Sequence, residues 1–350
     1  MSDKIWLIRV LETAVNAPSG DNTQPWRFRI QNNELFVYNL EDRDTTIYNF
    51  KQRGSYLGHG ALVENIVIAA SAEGYSADVT PFPGEPKCTA HISFRKGALA
   101  DPLHAHIERR TTNRKPYVIR PLRPEDKARL HNAASGFSDV TLKFVEGNEV
   151  VTRLGRLVGV NERILFEHRG LHDFLFSIIR WTPKEELSDP GLYVKTMEFP
   201  LPLQYIMRYI FYHWPVVRVL NMLGLSKVVS AQSSANHAAC SAFGAIVIKG
   251  YENVDFFCAG RALERVWLQA TALDVSMQPV TALPYLMQRV REGEANMFDD
   301  AHINRIKKTS DEISKLCGLQ EGEHIAMLFR IGYGGAPSAH SHKQTPVILN

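Results

Sequence analysis

The sequence predicts an α+β fold, and three observations lead to this prediction. The chain opens with apolar residues at helical spacing, and a proline ends that helix; these residues are Ile5, Ile8, Leu11, Val15 and Pro18. Two short apolar runs around an Asn-Asn turn then predict a β-hairpin over residues 26–38. Two long apolar helices lie far apart in the chain and share one residue pattern, which favours two related halves.

The remaining elements follow the same criteria. In the first half, residues 1–100, a long apolar helix from about 57 to 74 precedes strands at 77–80 and 89–94. The second half, residues 101–340, contains further helices and strands and a lid-like insertion at about 160–235. Its predicted elements are a helix at 124–134, strands at 141–145, 245–249 and 325–333, and a helix at 256–273.

The two long helices align without a gap. Residues 60–72 can be placed over residues 260–272, so that the glycines, the glutamates Glu64 and Glu264, and two alanines coincide. Two interpretations remain open at this point. Any two amphipathic helices could match this well, or the chain could contain an internal duplication.

Composition excludes several function classes. The 350 residues carry a formal net charge of +3, which is too close to balance for general nucleic-acid binding. The 13 histidines show no metal-ligand spacing, and the four cysteines form no CxxC pair. The segment 201–225 is the most apolar, but Arg208, His213, Pro215 and Arg218 interrupt it. We therefore expect a cytoplasmic protein with no transmembrane segment and no metal.

The most informative segment is the amide-rich turn, residues 17–26, with the sequence APSGDNTQPW. It holds no nucleophile–base pair. It offers backbone N–H groups, carboxamides and a flat apolar face, which suit a flat polar ligand.

A second segment, the arginine cluster, has the sequence RRTTNRKPY over residues 109–117. Several guanidinium groups and hydroxyls arriving together suit a phosphate, because arginine donates in a fork. A solvated surface or a helix cap is the alternative interpretation of the same residues.

Both segments resemble motifs of the nitroreductase family of FMN proteins. The turn is similar to the family's Ala-Pro-Ser-x-x-Asn-x-Gln-Pro-Trp segment, and the cluster to its Arg-Arg-Ser-x-Arg motif. The resemblance implies an FMN cofactor and a central, mainly antiparallel sheet flanked by helices. It also implies contacts to the flavin from the following residues: Pro18, Ser19, Asn22, Gln24, Arg109, Arg110, Thr111 and Arg114.

The match departs from the family pattern in the arginine cluster. Thr111 stands where the family has serine, and one extra residue precedes Arg114, which leaves the roles of the three arginines open. Further along, the family's backbone approaches the flavin ring where this chain has Gln278. A basic residue near the end, His342 or Lys343, would reach the phosphate, unless it belongs to a solvated tail.

The distribution of the motifs over the two halves implies a fused pseudo-dimer, as in the Acg-like branch of the family. Family dimers build each site from the turn of one subunit and the arginines of the other. Here each half carries only one of the two motifs. The resemblance therefore implies one FMN per chain, in a monomer (the pseudo-dimer) or a homodimer.

The insertion has no place in small nitroreductases and is predicted to cover the flavin as a lid. Its bulky residues are Leu201, Tyr205, Tyr209, Tyr212 and Leu220. Core packing and an interfacial membrane helix are the alternatives.

The expected function is an NAD(P)H-dependent oxidoreductase that reduces nitroaromatics or quinones through FMN. The chemistry takes place on the flavin, so no catalytic side chain is expected. The alternative is a protein that stores FMN with little turnover. A third possibility is a dehydrogenase of peptide azolines with a partner that presents the peptide.

Overall fold

The protein is described by a computed structural model that covers residues 5–349. Its first half contains two helices and four strands: α1 (Ile5–Ala14), β1 (Trp26–Gln31), β2 (Glu34–Asn39), α2 (Arg53–Ala72), β3 (Tyr75–Pro81) and β4 (Cys88–Lys96). Short 3₁₀ turns connect elements along the whole chain: Gly20–Asn22, Glu41–Arg43, Phe50–Gln52, Pro102–His106 and Val194–Met197.

The second half begins with α3 (Pro124–Ala134) and β5 (Val140–Val145). A long helical insertion follows: α4 (Asn148–Val158), α5 (Val160–Glu167), α6 (Arg169–Ile178), β6 (Ile179–Arg180), α7 (Pro183–Ser188), β7 (Leu192–Tyr193), α8 (Leu201–Ile206), a π-helical turn (Met207–Phe211), α9 (Trp214–Met222) and α10 (Leu225–Ala238). The half ends with β8 (Ala242–Ile248), α11 (Asn253–Ala272), β9 (Ser276–Val280), α12 (Ala282–Arg291), α13 (Asp300–Leu316), β10 (His324–Gly332) and β11 (Ile348–Leu349).

The α+β prediction is confirmed, and the strands are divided between two main sheets, one in each half. The first sheet has the order β11-β1-β2-β4-β3 and the second the order β5-β8-β10-β9. Within these two sheets, all pairs are antiparallel except that of β11 with β1, and the separate short pair β6–β7 is also parallel. If β11 is set aside, the two sheets have the same order around α2 and α11. The predicted duplication stays a prediction, and this shared order is the feature that agrees with it.

Helices α2 and α11 pack against each other between the halves, and their contact is reciprocal. A Cβ atom on Gly60 would lie 1.9 Å from the carbonyl oxygen of Phe257, and one on Gly260 would lie 1.9 Å from that of Leu57. Each helix also sends a side chain into the other half's core. Leu57 packs with the α11 cluster and Phe257 with the α2 cluster. Glycine is required at both positions because the backbones touch there.

The elements predicted from sequence all appear, with ends displaced by a few residues. The predicted insertion lies between β5 and β8, at the position where the first half has only the Asn32-Asn33 turn. A second insertion, α12 and α13, separates β9 from β10 and was not predicted. No helix within residues 5–349 has both the length and the apolar character needed to cross a membrane.

We predict that Gly60→Ala destabilises the fold by about 2 kcal/mol or more, because a methyl group would overlap a backbone carbonyl of the facing helix. Gly260→Ala should have a similar effect because the contact is reciprocal. Urea unfolding measures the change. Gly136→Ala is the matched control, since a Cβ atom there meets no atom within 4 Å. Wild-type stability in both helix variants would refute the close approach of α2 and α11.

Candidate functional site

A cavity of about 310 Å³ lies where the two halves and the insertion meet. This volume is within the range of small-molecule sites. Its wall comes from the amide-rich turn, the start of α2, the arginine cluster, α5 and α6, α11 and the C-terminal tail (residues 333–349). Representative lining residues are Asn16, Pro18, Ser19, Asp21, Asn22, Asp44, Tyr48, Leu57, Gly58, Arg110, Thr111, Arg114, Leu165, Phe174, Leu175, Leu263, Trp267, Tyr285 and Lys343.

The amide-rich turn has an unusual backbone. Asp21, Asn22 and Gln24 adopt φ values of +46°, +58° and +50°, in the left-handed region that L side chains rarely occupy. Asn and Asp tolerate this region better than other non-glycine residues. The hydroxyl of Ser19 accepts a hydrogen bond from the backbone N–H of Gln24 at 3.0 Å, which closes the turn on itself. Backbone strain of this kind often accompanies functional sites.

The carboxamides of this turn hold the C-terminal tail. Asn22 Nδ2 donates to the carbonyl of His342 at 3.0 Å. The backbone N–H of Gln344 donates to Gln24 Oε1 at 2.8 Å. These contacts fix Lys343 between them and bring its side chain to the cavity.

Lys343 is a buried ammonium group. Its Nζ donates to the carbonyl of Ala17 and to Asn22 Oδ1, both at 2.9 Å. Burial lowers the pKa of Lys343 to about 7, and the nearby Arg110 guanidinium adds to the shift, while Glu264 opposes it. A group with this pKa changes charge close to neutral pH.

Arg110 is the second buried cation. Its Nη2 donates to the carbonyl of Asn16 at 2.8 Å, and its guanidinium carbon lies 4.4 Å from the ring centroid of Trp267. Its Nε lies 3.3 Å from Glu264 Oε1 without forming a hydrogen bond, so Nε and both Glu264 oxygens have no hydrogen-bond partner within the described residues. Burial raises the pKa of Glu264 to about 7, although Arg110 opposes the shift.

Arg114 joins the arginine cluster to the insertion. Its Nη1 donates to the carbonyl of Thr196 at 3.0 Å. Burial lowers its pKa, and the carboxyl group of Asp21 counteracts this. Arginine nevertheless stays protonated in proteins, so Arg114 adds a fixed positive charge to the wall.

Two carboxyl groups in the wall were not identified from the sequence. Burial, followed by the charge of Asp44, raises the pKa of Asp21 to about 7. Burial also raises the pKa of Asp44 to about 6, although hydrogen bonds from Thr46 oppose the shift. Near neutral pH these groups are therefore partly uncharged, while Arg110 and Arg114 keep their charge.

The structure brings seven of the ten predicted site residues to the cavity: Pro18, Ser19, Asn22, Arg110, Thr111, Arg114 and Lys343. The other three do not line it. Arg109 is 59% exposed, and its Nη2 lies 3.1 Å from Asp274 Oδ1. Gln24 holds the tail, and Gln278 Oε1 accepts a hydrogen bond from Arg330 Nε at 2.6 Å.

The insertion covers the cavity, but through helices other than those predicted to do so. Leu165 of α5 and Phe174, Leu175 and Ile178 of α6 line the wall. The bulky residues predicted to cover a ring do not: Leu201, Tyr205, Tyr209, Tyr212 and Leu220. The first four are exposed to solvent instead.

Comparison with protein-family models finds no match. Among curated sequences, the chain is 25% identical over 344 residues to "Uncharacterized protein MT1398" of Mycobacterium tuberculosis, covering 96% of this chain and 47% of that protein. It is 26% identical to "Putative NAD(P)H nitroreductase Rv3131" of the same species, covering 78% of this chain and 75% of that protein. The chain thus spans about half the length of the first of these relatives.

Solved structures superpose on this chain only with low TM-scores. A nitroreductase with bound FMN from Bacteroides fragilis aligns with 70% of this chain and 95% of its own, at a TM-score of 0.38 and 10% identity. The FMN-dependent nitroreductase NfnB from Mycobacterium smegmatis, in complex with NADPH, aligns with 69% and 90% at a TM-score of 0.35 and 10% identity. At TM-scores this low, the superpositions support no conclusion about this chain.

The relatives with a functional name are called nitroreductases. Besides Rv3131, a segment of 117 residues is 29% identical to "Putative NAD(P)H nitroreductase acg" of Mycobacterium tuberculosis, covering 32% of this chain and 35% of that protein. In sequence, the chain is thus similar to nitroreductase-like proteins of this species, at 26–29% identity.

Proposed function

We propose that the protein binds one FMN in this cavity and is an NAD(P)H-dependent oxidoreductase that reduces nitroaromatics or quinones. One observation carries the proposal: the amide-rich turn, the arginine cluster and Lys343 meet at one cavity, although they are far apart in the sequence. The sequence similarity to proteins named as NAD(P)H nitroreductases agrees with this combination of residues.

The buried polar groups fit a phosphate-bearing cofactor. Arg110 Nε is a buried donor that lacks an acceptor within the described residues, and Arg114 and Lys343 add further positive charge. A phosphate would supply acceptors for these donors, because charge-assisted hydrogen bonds to arginine are strong and often bidentate. The hydroxyl of Thr111 offers one more donor on the same wall.

The chain's own residues would bind and orient the cofactor. Arg110, Thr111, Arg114 and Lys343 would hold the phosphate end, and Pro18, Ser19 and Asn22 would border the flat ring. FMN would supply the hydride-transfer chemistry when bound. The apolar wall of Leu165, Phe174, Leu175 and Ile178 would exclude water from this chemistry.

The stoichiometry of one FMN per chain follows from an asymmetry between the related helices. At the position in α2 that corresponds to Glu264, Glu64 accepts hydrogen bonds from Arg261 Nε and Arg265 Nη1, both at 2.8 Å. Glu64 is therefore fully hydrogen-bonded, whereas Glu264 has only the ion pair with Arg110, at 3.3 Å and without a hydrogen bond. We also infer that the two halves arose by duplication, and the shared strand order supports this.

We predict that Arg110→Met weakens FMN binding by about 10- to 100-fold, because a hydrogen bond to a charged group is worth about 1.5–3 kcal/mol. Fluorescence titration of the flavin-free protein measures this, together with the FMN-to-chain ratio. Arg109→Met is the matched control, since that side chain lies outside the cavity.

Arg110→Met could destabilise the fold by leaving Glu264 unpaired. The double variant Arg110→Met/Glu264→Gln removes that charge as well. Weak FMN binding in this stable double variant would support the phosphate role. Equal losses in the Arg109 and Arg110 variants, or two FMN per chain, would contradict the proposed site.

We predict that FMN affinity decreases as the pH rises from 7 to 9. In the flavin-free protein the pKa of Lys343 is about 7, so the side chain loses its charge over this range. An anion binds more weakly to the neutral amine. The decrease should approach tenfold per pH unit at most. In Lys343→Met the pH dependence should become weaker, and what remains should come from Asp21 and Glu264, whose pKa values are also about 7. Riboflavin, which lacks the phosphate, serves as control, and an equal dependence for riboflavin would assign the effect to another group.

We predict that NADH or NADPH bleaches the absorbance of the bound flavin under anaerobic conditions. The matched variant Phe174→Ala opens the wall formed by the insertion. Rapid bleaching of the wild type supports the oxidoreductase. A wild type that stays yellow, combined with a bleached Phe174→Ala variant, would indicate a closed wall and favour FMN storage.

A further inference from the structure

The outer side of the insertion carries a large exposed apolar surface, which we call the outer face. It consists of residues from α8, the π-helical turn, α9 and the start of α10: Leu201, Tyr205, Tyr209, Tyr212, Val216, Val219, Met222, Leu223 and Val228. Met222 is 77% exposed and Leu223 82%. Soluble monomers rarely expose apolar residues grouped in this way, and such groups mark interaction sites.

The spacing of these residues places them on one side of their helices. Leu201, Tyr205 and Tyr209 are four residues apart, and the rings of Tyr205 and Tyr209 stack with centroids 6.3 Å apart. The opposite side of the same segment holds Met207 and Val217, which are buried in the main core. The segment is therefore amphipathic, and its outer apolar stripe has no partner within the described residues.

The charges around the outer face are all positive within its own segment. No aspartate or glutamate occurs from residue 199 to residue 251. Arg218 and Lys227 are exposed, and neither has a carboxylate within 4.0 Å among the described residues. Arg208 is also basic, and only Glu185 of α7 approaches it, at 3.9 Å.

The apolar stripe and the basic residues together favour one type of binding partner. Tyrosine and aliphatic side chains bordered by lysine and arginine are typical of helices that lie at an anionic lipid surface. A second copy of the same face would bring Arg208, Arg218 and Lys227 close to their own copies, and the segment offers no acidic residue to neutralise them. The charge complementarity therefore favours anionic phospholipid.

We propose that the outer face binds peripherally to anionic phospholipid membranes, with its apolar stripe in the interfacial region and its basic residues at the headgroups. The proposal does not depend on the flavin chemistry. It would place the protein's reaction at a membrane surface, because the insertion that bears the outer face also forms part of the cavity wall.

The test is co-sedimentation of the full-length protein with vesicles of phosphatidylcholine, either alone or with phosphatidylglycerol. We expect binding only to the vesicles with phosphatidylglycerol, and a decrease at high salt. Arg218→Glu/Lys227→Glu should weaken binding by more than 25-fold, since each basic residue near an anionic surface contributes about fivefold. Lys307→Glu/Lys308→Glu on α13 is the matched control and should bind as the wild type does.

The apolar contribution is tested separately. Leu223→Glu should abolish vesicle binding, whereas Leu99→Glu, at a residue 92% exposed outside the insertion, should leave it unchanged. Thermal unfolding checks that both variants are folded. No binding of the wild type to anionic vesicles would overturn the proposal. A concentration-dependent dimer that Leu223→Glu dissociates, without vesicle binding, would overturn it in favour of self-association.

Discussion

The contact between α2 and α11 is the constraint on which the rest of the structure depends. Because Gly60 and Gly260 let the two backbones touch, the halves are held at a distance that side chains cannot adjust. Leu57 and Gly58 of α2 and Leu263 and Trp267 of α11 flank this contact, and all four also line the cavity. The close approach of the helices therefore fixes both the cores and the position of the candidate site.

The same helix pair explains why the two halves are not equivalent in charge. Glu64 and Glu264 occupy matching positions, but Glu64 pairs with Arg261 and Arg265 of the facing helix. Residues 61 and 65 of α2 are alanine and asparagine, so the facing helix offers Glu264 no such arginines. Arg110 approaches it from outside the pair and keeps an unsatisfied donor. A nearly symmetric scaffold thus produces one cavity with buried, incompletely paired charges.

Much of this could be predicted from the sequence, because periodicity and turn residues are local signals. The hairpin at β1 and β2 and both long helices belong to this group, and seven of the ten predicted site residues line the cavity. The sequence could not show which arginine of the cluster faces the cavity. Arg109 and Arg110 are adjacent, and only the directions of their side chains distinguish them. Asp44, Tyr48 and Phe174 reach the cavity from parts of the chain with no recognisable motif. Trp267 differs from these, because the sequence gave an indication of its role. It is a large aromatic residue at the position where the matching helix α2 has Val67.

The insertion contributes residues both to the cavity wall and to the protein surface. The inner sides of α5 and α6 line the cavity, and their other contacts hold the segment that bears the outer face. His172 Nε2 lies 2.7 Å from the carbonyl of Phe211, and Asn221 Nδ2 donates to the carbonyl of Phe166 at 2.6 Å. These two hydrogen bonds attach the outer segment to α5 and α6. A ligand on the outer face would therefore bind to a segment that is hydrogen-bonded to the helices of the cavity wall.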